Sequence, residues 1–465
     1  MNRALLVASL AAVTFAGCNC TQNPVTPPDG GTINTGGGVG ALGGGTATGG
    51  GSAAGGGTAT GGGSALGGGG GNVDAGATDD DGGVVMDGGV TTDAGITLDG
   101  GLGCVFTPAP ANGTRRIVVS HPFPPDGGSR DNRYEVFEVS STGAVNATGV
   151  EFRMGRSGDY SSPIVFSPDG RIGFVAQEQG TIGVFRFEET GVTVVHAAFA
   201  TGFSPGKLTF LAATGQLLAT DFNTQNNGGG LYTIDVACDG TLSTVRHVAP
   251  GNSASAELVI PTSRFALVAS RSLLNSPMMQ DLHIINLTQP TMPTLVTSTT
   301  GFPDRDAIPS SIALSPDQRL VALSDNGIFS ANRIAFFELS GTTLTSLGLA
   351  NTQHPAGVQF SPFTNSALVV NTDSADHYRL LTWTTNPLGG FTVSAPLAYA
   401  HGRPQLPTVP LMIDRGNLEG RVFIGELDAI RQLQFERDGG ITDVASTPVS
   451  GTGNAQIVGT IGITP

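Results

Sequence analysis

From residue 104 onward the apolar residues fall into short runs of about four to six, separated by turn residues, with no helical period of any length. Three of these runs share one phrase: PIVFSPDGRIGFVA at 163–176, IALSPDQRLVALS at 312–324 and VQFSPFTNSALVV at 358–370. Looser versions align with them. One column then holds Ile164, Leu208, Leu258, Ile312, Val358, Leu411 and Ile461, and a second, two residues on, holds Phe166, Phe210, Ile260, Leu314, Phe360, Ile413 and Ile463. Successive members of the second column lie 44, 50, 54, 46, 53 and 50 residues apart. A turn rich in Ser, Pro, Asp and Gly follows each of the clearer copies, because Pro presets φ and Asp bonds its own backbone there. Arg171, Arg264, Arg319 and Arg421 each stand just before the next apolar run and read as solvated turn residues.

Behind each pair of runs lies another apolar stretch, such as TIGVFRFEETG, GLYTIDVACDG, RIAFFELSG and AIRQLQFERDGG, several ending in a Gly-bearing hairpin turn. Four short strands in roughly 50 residues is the length of a propeller blade. Six full copies begin between residues 160 and 405, and QIVGTIGITP at the C-terminus supplies a seventh innermost strand. The remainder of that blade reads from the other end of the repeat region, as TRRIVVSHP, NRYEVFEVSSTG and NATGVEFRMG. The expected fold is therefore all-β: a seven-bladed β-propeller over 104–465, closed by a blade built from both ends, which removes the free sheet edge.

The first 103 residues differ. Arg3 precedes an apolar run from Ala4 to Ala16, too short to span a bilayer and suited to a secretory signal over residues 1–17. Residues 30–103 are dominated by Gly, Ala, Thr, Ser and Asp, with six-residue repeats such as GGGTAT and DGGVTT. That composition holds too little apolar surface to offset ordering entropy, so residues 18–103 read as a disordered tether. A Gly-rich coil of that length spans roughly 50 Å. The Asp-Gly repeat does not match the nine-residue calcium β-roll repeat in period or order. Of the net charge of -15, the first 103 residues carry -7, and Lys207 is the only lysine. With no polybasic run, nucleic acid and anionic membrane surfaces are poor partners. Lys207 and Glu257 hold matching positions in neighbouring blades and read as a structural ion pair. In an exported chain Cys104 and Cys238 form a candidate disulfide.

Two resemblances extend this reading. Phe15-Ala16-Gly17-Cys18 resembles a bacterial lipobox, with Phe15 where Leu is usual. The resemblance implies that Cys18 is lipidated and that the membrane is reached through this lipid. Asn19 after it leans toward the outer membrane, and the expected location is the cell envelope. The repeats SPDGRIGFVA, SPDQRLVALS and HPAGVQFSPFTNSALVVN resemble the lactonase-like propellers, the family of propeller-type 6-phosphogluconolactonase and YVTN surface repeats, over residues 115–465. In that family the second strand of a blade runs into an N-R-G-x-D type loop at the ligand end. Asn371 to Asp376 is the matching run here; Asn371 is kept, but Arg and Gly are not. The corresponding positions in the other blades align as His121, Ala176, Asp221, Ala269, Ser324 and Glu426.

The candidate ligand rim is then His121, Asp221, Asp325, His354, Asn371 and Glu426. No zinc, Walker, G-x-S-x-G or haem-attachment motif occurs in the globular part, so no metal and no cofactor is expected. Two functions compete. One is a monomeric, membrane-anchored binding or scaffold module that recognises a protein, peptide or glycan. The other is a lactonase-like hydrolase or isomerase acting on a sugar lactone, which would need rim carboxylates and histidines within mutual hydrogen-bond reach.

Overall fold

A computed structural model describes residue 104 and residues 106–465, apart from 123–132, 159–161, 222–229, 249–253, 260–263, 271–281, 290–291, 304–306, 308, 327–331, 373–376, 385–389 and 452–456, and apart from the side chains of 248 and 254–259. Cys18, the signal segment and the tether lie outside the described residues, as does the Glu257 side chain of the expected Lys207 pair.

Twenty-eight strands form seven antiparallel four-stranded sheets, with no helix among the described residues. Blade I covers residues 165–200, blade II 205–248, blade III 254–299, blade IV 309–351, blade V 355–396 and blade VI 411–448. Blade VII takes its innermost strand, Ile461–Ile463, from the C-terminus and the other three, Arg115–His121, Arg133–Val139 and Val145–Arg153, from the start of the globular region. Val118 stands opposite Gly462 in that closing pair, so the ring closes where the repeat pattern places it.

The core consists of seven apolar clusters, one at each seam between consecutive blades. In blade V, Ala367 and Val369 enter the cluster shared with blade IV, whereas Leu368 and Val370 enter the one shared with blade VI. Leu217 and Ala219 of blade II likewise face blade I, and Leu218 faces blade III. A second strand that packs on both faces needs apolar residues at successive positions, which is why RIGFVA, RLVALS and SALVV lack alternation. The outermost strands have a solvated face and are only partly buried.

Local chemistry explains the repeated phrase. The Ser167 hydroxyl accepts from the Ile172 amide at 3.0 Å and donates to the Asp169 carboxylate, which also accepts from the Arg171 amide at 3.1 Å. Ser315, Asp317, Arg319 and Leu320 repeat these bonds in blade IV. Gly170 and Gln318 hold the same left-handed position, at φ of 70° and 58°. In blade V, Pro362-Phe363-Thr364 replaces Pro-Asp-Gly, and Ser361 Oγ alone accepts the Phe363 and Thr364 amides. Arg171, Arg264 and Arg319 are exposed as expected, but Arg421 is half-buried and donates to Gln434 Oε1 at 3.0 Å.

The antiparallel order gives the ring two distinct faces. On the rim face the second strands end and the innermost strands begin. On the turn face lie the Ser-Pro-Asp turns and the turns from third to outermost strand. Cys104 and residues 106–114 lie across the turn face. Cys104 is disulfide-bonded to Cys238 in a turn of blade II, Phe106 meets Phe210 edge-on, the Ala109 amide donates to Pro168 O in blade I, and Asn112 Oδ1 accepts from the Asn417 amide in blade VI.

Candidate functional site

The seven second strands end at one structural position. Asn371 stands opposite Pro355 of its innermost strand, as Asp325 does Pro309, Asp221 does Pro205 and Ser270 does Ala254. This register corrects three positions of the sequence alignment. The equivalents of Asn371 in blades I, III and IV are Gln177, Ser270 and Asp325, one residue beyond Ala176, Ala269 and Ser324. In these three blades the strand reaches one residue further, so the polar residue that closes it lies one position beyond the aligned one. With the correction the ring reads His121, Gln177, Asp221, Ser270, Asp325, Asn371 and Glu426: seven polar side chains, all buried.

Side-chain parity decides where these residues act. Each is two residues beyond an apolar residue packed against the preceding blade, so each lies on that same face. Gln177 Nε2 donates to Gly155 O of blade VII at 3.0 Å and to Ala197 O of its own blade at 3.0 Å, while its Oε1 accepts from Thr181 Oγ1. Thr352 Oγ1 of blade IV donates to Asn371 Oδ1 at 2.8 Å. The Ser204 amide, between blades I and II, donates to Asp221 Oδ1 at 3.1 Å. Asp325 lies 3.9 Å from Arg333, whose guanidinium also lies near the Phe302 ring.

At the two ends of this series the hydrogen bonds involve buried carboxylates. His121 Nε2 contacts Glu135 Oε2 at 3.2 Å. A carboxylate only accepts, so that nitrogen carries the proton. Ser450, arriving from blade VI, donates its amide and hydroxyl to the same oxygen, each at 3.0 Å. Burial opposes the charge on Glu135, but the hydrogen bonds from His121 and Ser450 together outweigh it and hold the carboxyl below its ordinary value. At the seam of blades V and VI, Glu426 accepts from Tyr378 Oη at 2.6 Å and takes Arg431 in a two-point pair at 2.9 and 3.0 Å. Arg431 also reaches Asp443 at 3.0 Å and Gly402 O at 2.9 Å, and its side chain is 2% exposed. Desolvation acts to lower the Arg431 guanidinium, yet Glu426 and Asp443 hold it above its ordinary value. Burial, and then the Glu426 charge, push the Tyr378 hydroxyl well up.

Blade III differs. Ser270 Oγ lies 2.8 Å from His283 Nε2, and His283 Nδ1 lies 2.7 Å from Ser298 Oγ. Burial lowers the His283 pKa to about 4, so the imidazole is neutral at pH 7. The serine–imidazole contact has the spacing of a nucleophile and base, but a base with that pKa is poorly matched to neutral pH. His354 is half-buried at a left-handed φ of 45°, and its carbonyl accepts the Thr372 amide and hydroxyl.

The structure therefore sets His121, Asp221, Asp325, Asn371 and Glu426 at equivalent places around one face, but separately, each at its own seam. Sequence reasoning missed Gln177, Ser270, Glu135, His283, Arg431 and Asp443. The last four lie on third and outermost strands, whose polar residues nothing in the repeat singles out. Among the described residues, no three His, Cys, Asp or Glu side chains gather as a metal site would require. Likewise no described helix is long and apolar enough to cross a membrane.

Comparison with known proteins supports the architecture. No family model and no curated protein matches the chain. Solved structures do. The periplasmic gluconolactonase of Pseudomonas aeruginosa superposes with a TM-score of 0.54 at 14% identity, over 76% of this chain and 99% of its own. A candidate 6-phosphogluconolactonase of Bacteroides fragilis gives 0.54 at 13% identity, over 77% of this chain and 100% of its own. Another, from Bacteroides uniformis, gives 0.53 at 12%, over 76% and 99%. The class of protein is thus a seven-bladed propeller of lactonase-like architecture. At such identities the likeness speaks for the fold, since one propeller scaffold carries many unrelated functions.

Proposed function

We propose that this chain is an envelope-anchored binding or scaffold propeller, held to the membrane through a lipid on Cys18 and presented on its Gly-rich tether. The observation that carries the reading is the fate of the rim. Gln177, Asn371 and Glu426 spend polar atoms on neighbouring blades, His121 bonds Glu135 of its own blade, and Arg431 saturates Glu426 from the other side. Such a rim stiffens the ring and leaves recognition to its surfaces. Two acyl chains suffice for stable anchoring, at roughly 0.8 kcal/mol per buried methylene. Cys18→Ala should move the protein from the membrane to the soluble fraction; unchanged partition would refute the anchor.

A second reading, a sugar-lactone hydrolase, is favoured by one observation, the likeness to proteins described as gluconolactonases. One assay separates the two. The full-length protein is incubated with a panel of gluconolactones and their 6-phosphates, and ring opening is followed by acid release. The binding reading expects the uncatalysed rate. Turnover that is lost in Asp221→Asn or Glu426→Gln would establish the enzyme instead.

A further inference from the structure

The turn face carries a feature that the rim does not. Between blades IV and V a cavity of about 190 Å³ opens where two copies of the repeated turn lie side by side. Pro316 and Asp317 come from the blade IV turn, Phe363, Thr364 and Asn365 from the blade V turn, and Trp383 from the end of the third strand of blade V. Trp383 is the single tryptophan of the chain. Its ring packs edge-on against Phe360 at 5.7 Å and near Phe391 at 6.0 Å, while its backbone amide donates to Asn365 O at 3.2 Å and ties the strand end to the turn. The Arg437 guanidinium lies over the Phe363 ring, 4.5 Å from its centroid.

We infer that this cavity is a binding site for a single neutral pyranose ring. Its lining is of two kinds: prolines, Phe363 and Trp383 supply apolar surface, while Asp317 and Asn365 supply acceptors and a donor. A pyranose has the matching two-sided chemistry, a face of C–H groups and an edge of hydroxyls. Trp offers a large rigid surface at low entropic cost. The Asp317 carboxylate accepts the Ser315 hydroxyl and the Arg319 amide on Oδ1 alone, so Oδ2 takes no part in the turn and is available to accept sugar hydroxyls. The Asn365 side chain is exposed and both donates and accepts. Pockets for drug-sized ligands run to about 300–1,000 Å³, so this one suits one ring rather than a buried oligosaccharide. The site exists because blade V departs from the repeat. Phe363-Thr364-Asn365 stands where blades I and IV carry Asp-Gly-Arg and Asp-Gln-Arg, and this exchanges a solvated turn for an aromatic wall and a carboxamide. The assignment deepens the binding reading by naming a ligand class, and it rests on that reading only in taking binding, not turnover, as the outcome.

The lone tryptophan makes the test direct. Emission of the full-length protein is titrated with methyl glycosides of glucose, galactose, mannose and N-acetylglucosamine. At least one should give a saturable change by about 10 mM, ten times the dissociation constant of a site contributing only about 4 kcal/mol. Asp317→Asn keeps the Oδ1 acceptor that builds the turn but removes the charge, and should weaken that binding about tenfold, as expected for one charge-assisted hydrogen bond. Asn365→Ala should weaken it several-fold with an unchanged melting temperature. No saturable change with any glycoside, or a change that neither variant affects, would overturn the inference. So would an emission response to a proline-rich peptide and to no sugar. Lactone turnover in the assay above, with Trp383 silent, would sink the binding reading and this site together; silence in both would sink this site alone.

Discussion

The two faces of the ring treat their polar residues in opposite ways. On the rim face the seven residues at the second-strand ends are buried and are bonded between or within blades, up to the fully enclosed Tyr378–Glu426–Arg431–Asp443 network. On the turn face Asp317 and Asn365 are exposed, although Asp317 belongs to the most regular motif of the sequence. Polarity and periodic placement alone do not distinguish a latch from a contact residue. The difference lies in whether a neighbouring blade reaches the side chain.

The largest effect expected from breaking this contrast is at the closing seam. Ending the chain at Thr452 removes the innermost strand of blade VII and the buried Ile457, Val458 and Ile461. At roughly 1.5–3 kcal/mol per buried side chain, against a total of about 5–15 kcal/mol, the truncated protein should unfold or aggregate. A melting temperature equal to that of the full chain would show that closure does not depend on that strand.

Arg431→Ala comes next. It leaves Glu426 and Asp443 buried without their cation and should cost about 3–5 kcal/mol by denaturant unfolding, whereas Arg431→Met with Glu426→Gln should recover part of it. If Arg431→Ala costs under about 1 kcal/mol, the network is not a latch.

A pH effect follows from blade III. His283 is depressed to about 4 from an ordinary 6.5, so the unfolded chain binds the extra proton first. Stability from this group is fully present above pH 6.5 and is lost as pH falls from there toward 4, by roughly 3 kcal/mol. Comparing the wild type with His283→Asn at pH 7 and pH 4.5 isolates it, since the other carboxylates titrate alike in both. Equal losses in the two proteins would remove His283 from the account. The smallest effect belongs to the turn face: Asn365→Ala should shift stability by less than about 0.5 kcal/mol, as at an ordinary surface position. A larger loss would make Asn365 structural and erase the contrast between faces.

Much of the architecture was legible in the chain. The seven-fold phrase, the unalternating second strands and the leftover strand at each end of the repeat region led to seven blades and to closure between the two ends, because each follows from local turn chemistry and from packing on both faces of a sheet. Polar residue types also marked five of the seven rim positions. What the sequence could not supply was the partner of each. Arg431, His283 and Glu135 lie on third strands at positions the repeat does not mark, and only the packing of one blade on the next encloses them. Gln177 and Ser270 were hidden by an alignment one residue short, which strand register alone corrects. The pairing of Cys104 with Cys238, separated by 134 residues, likewise depends on a leading segment that crosses the turn face. Periodicity along a chain reports which residues share a face; which side chains meet across a seam is set by the angle and register between blades, and those exist only in the closed ring.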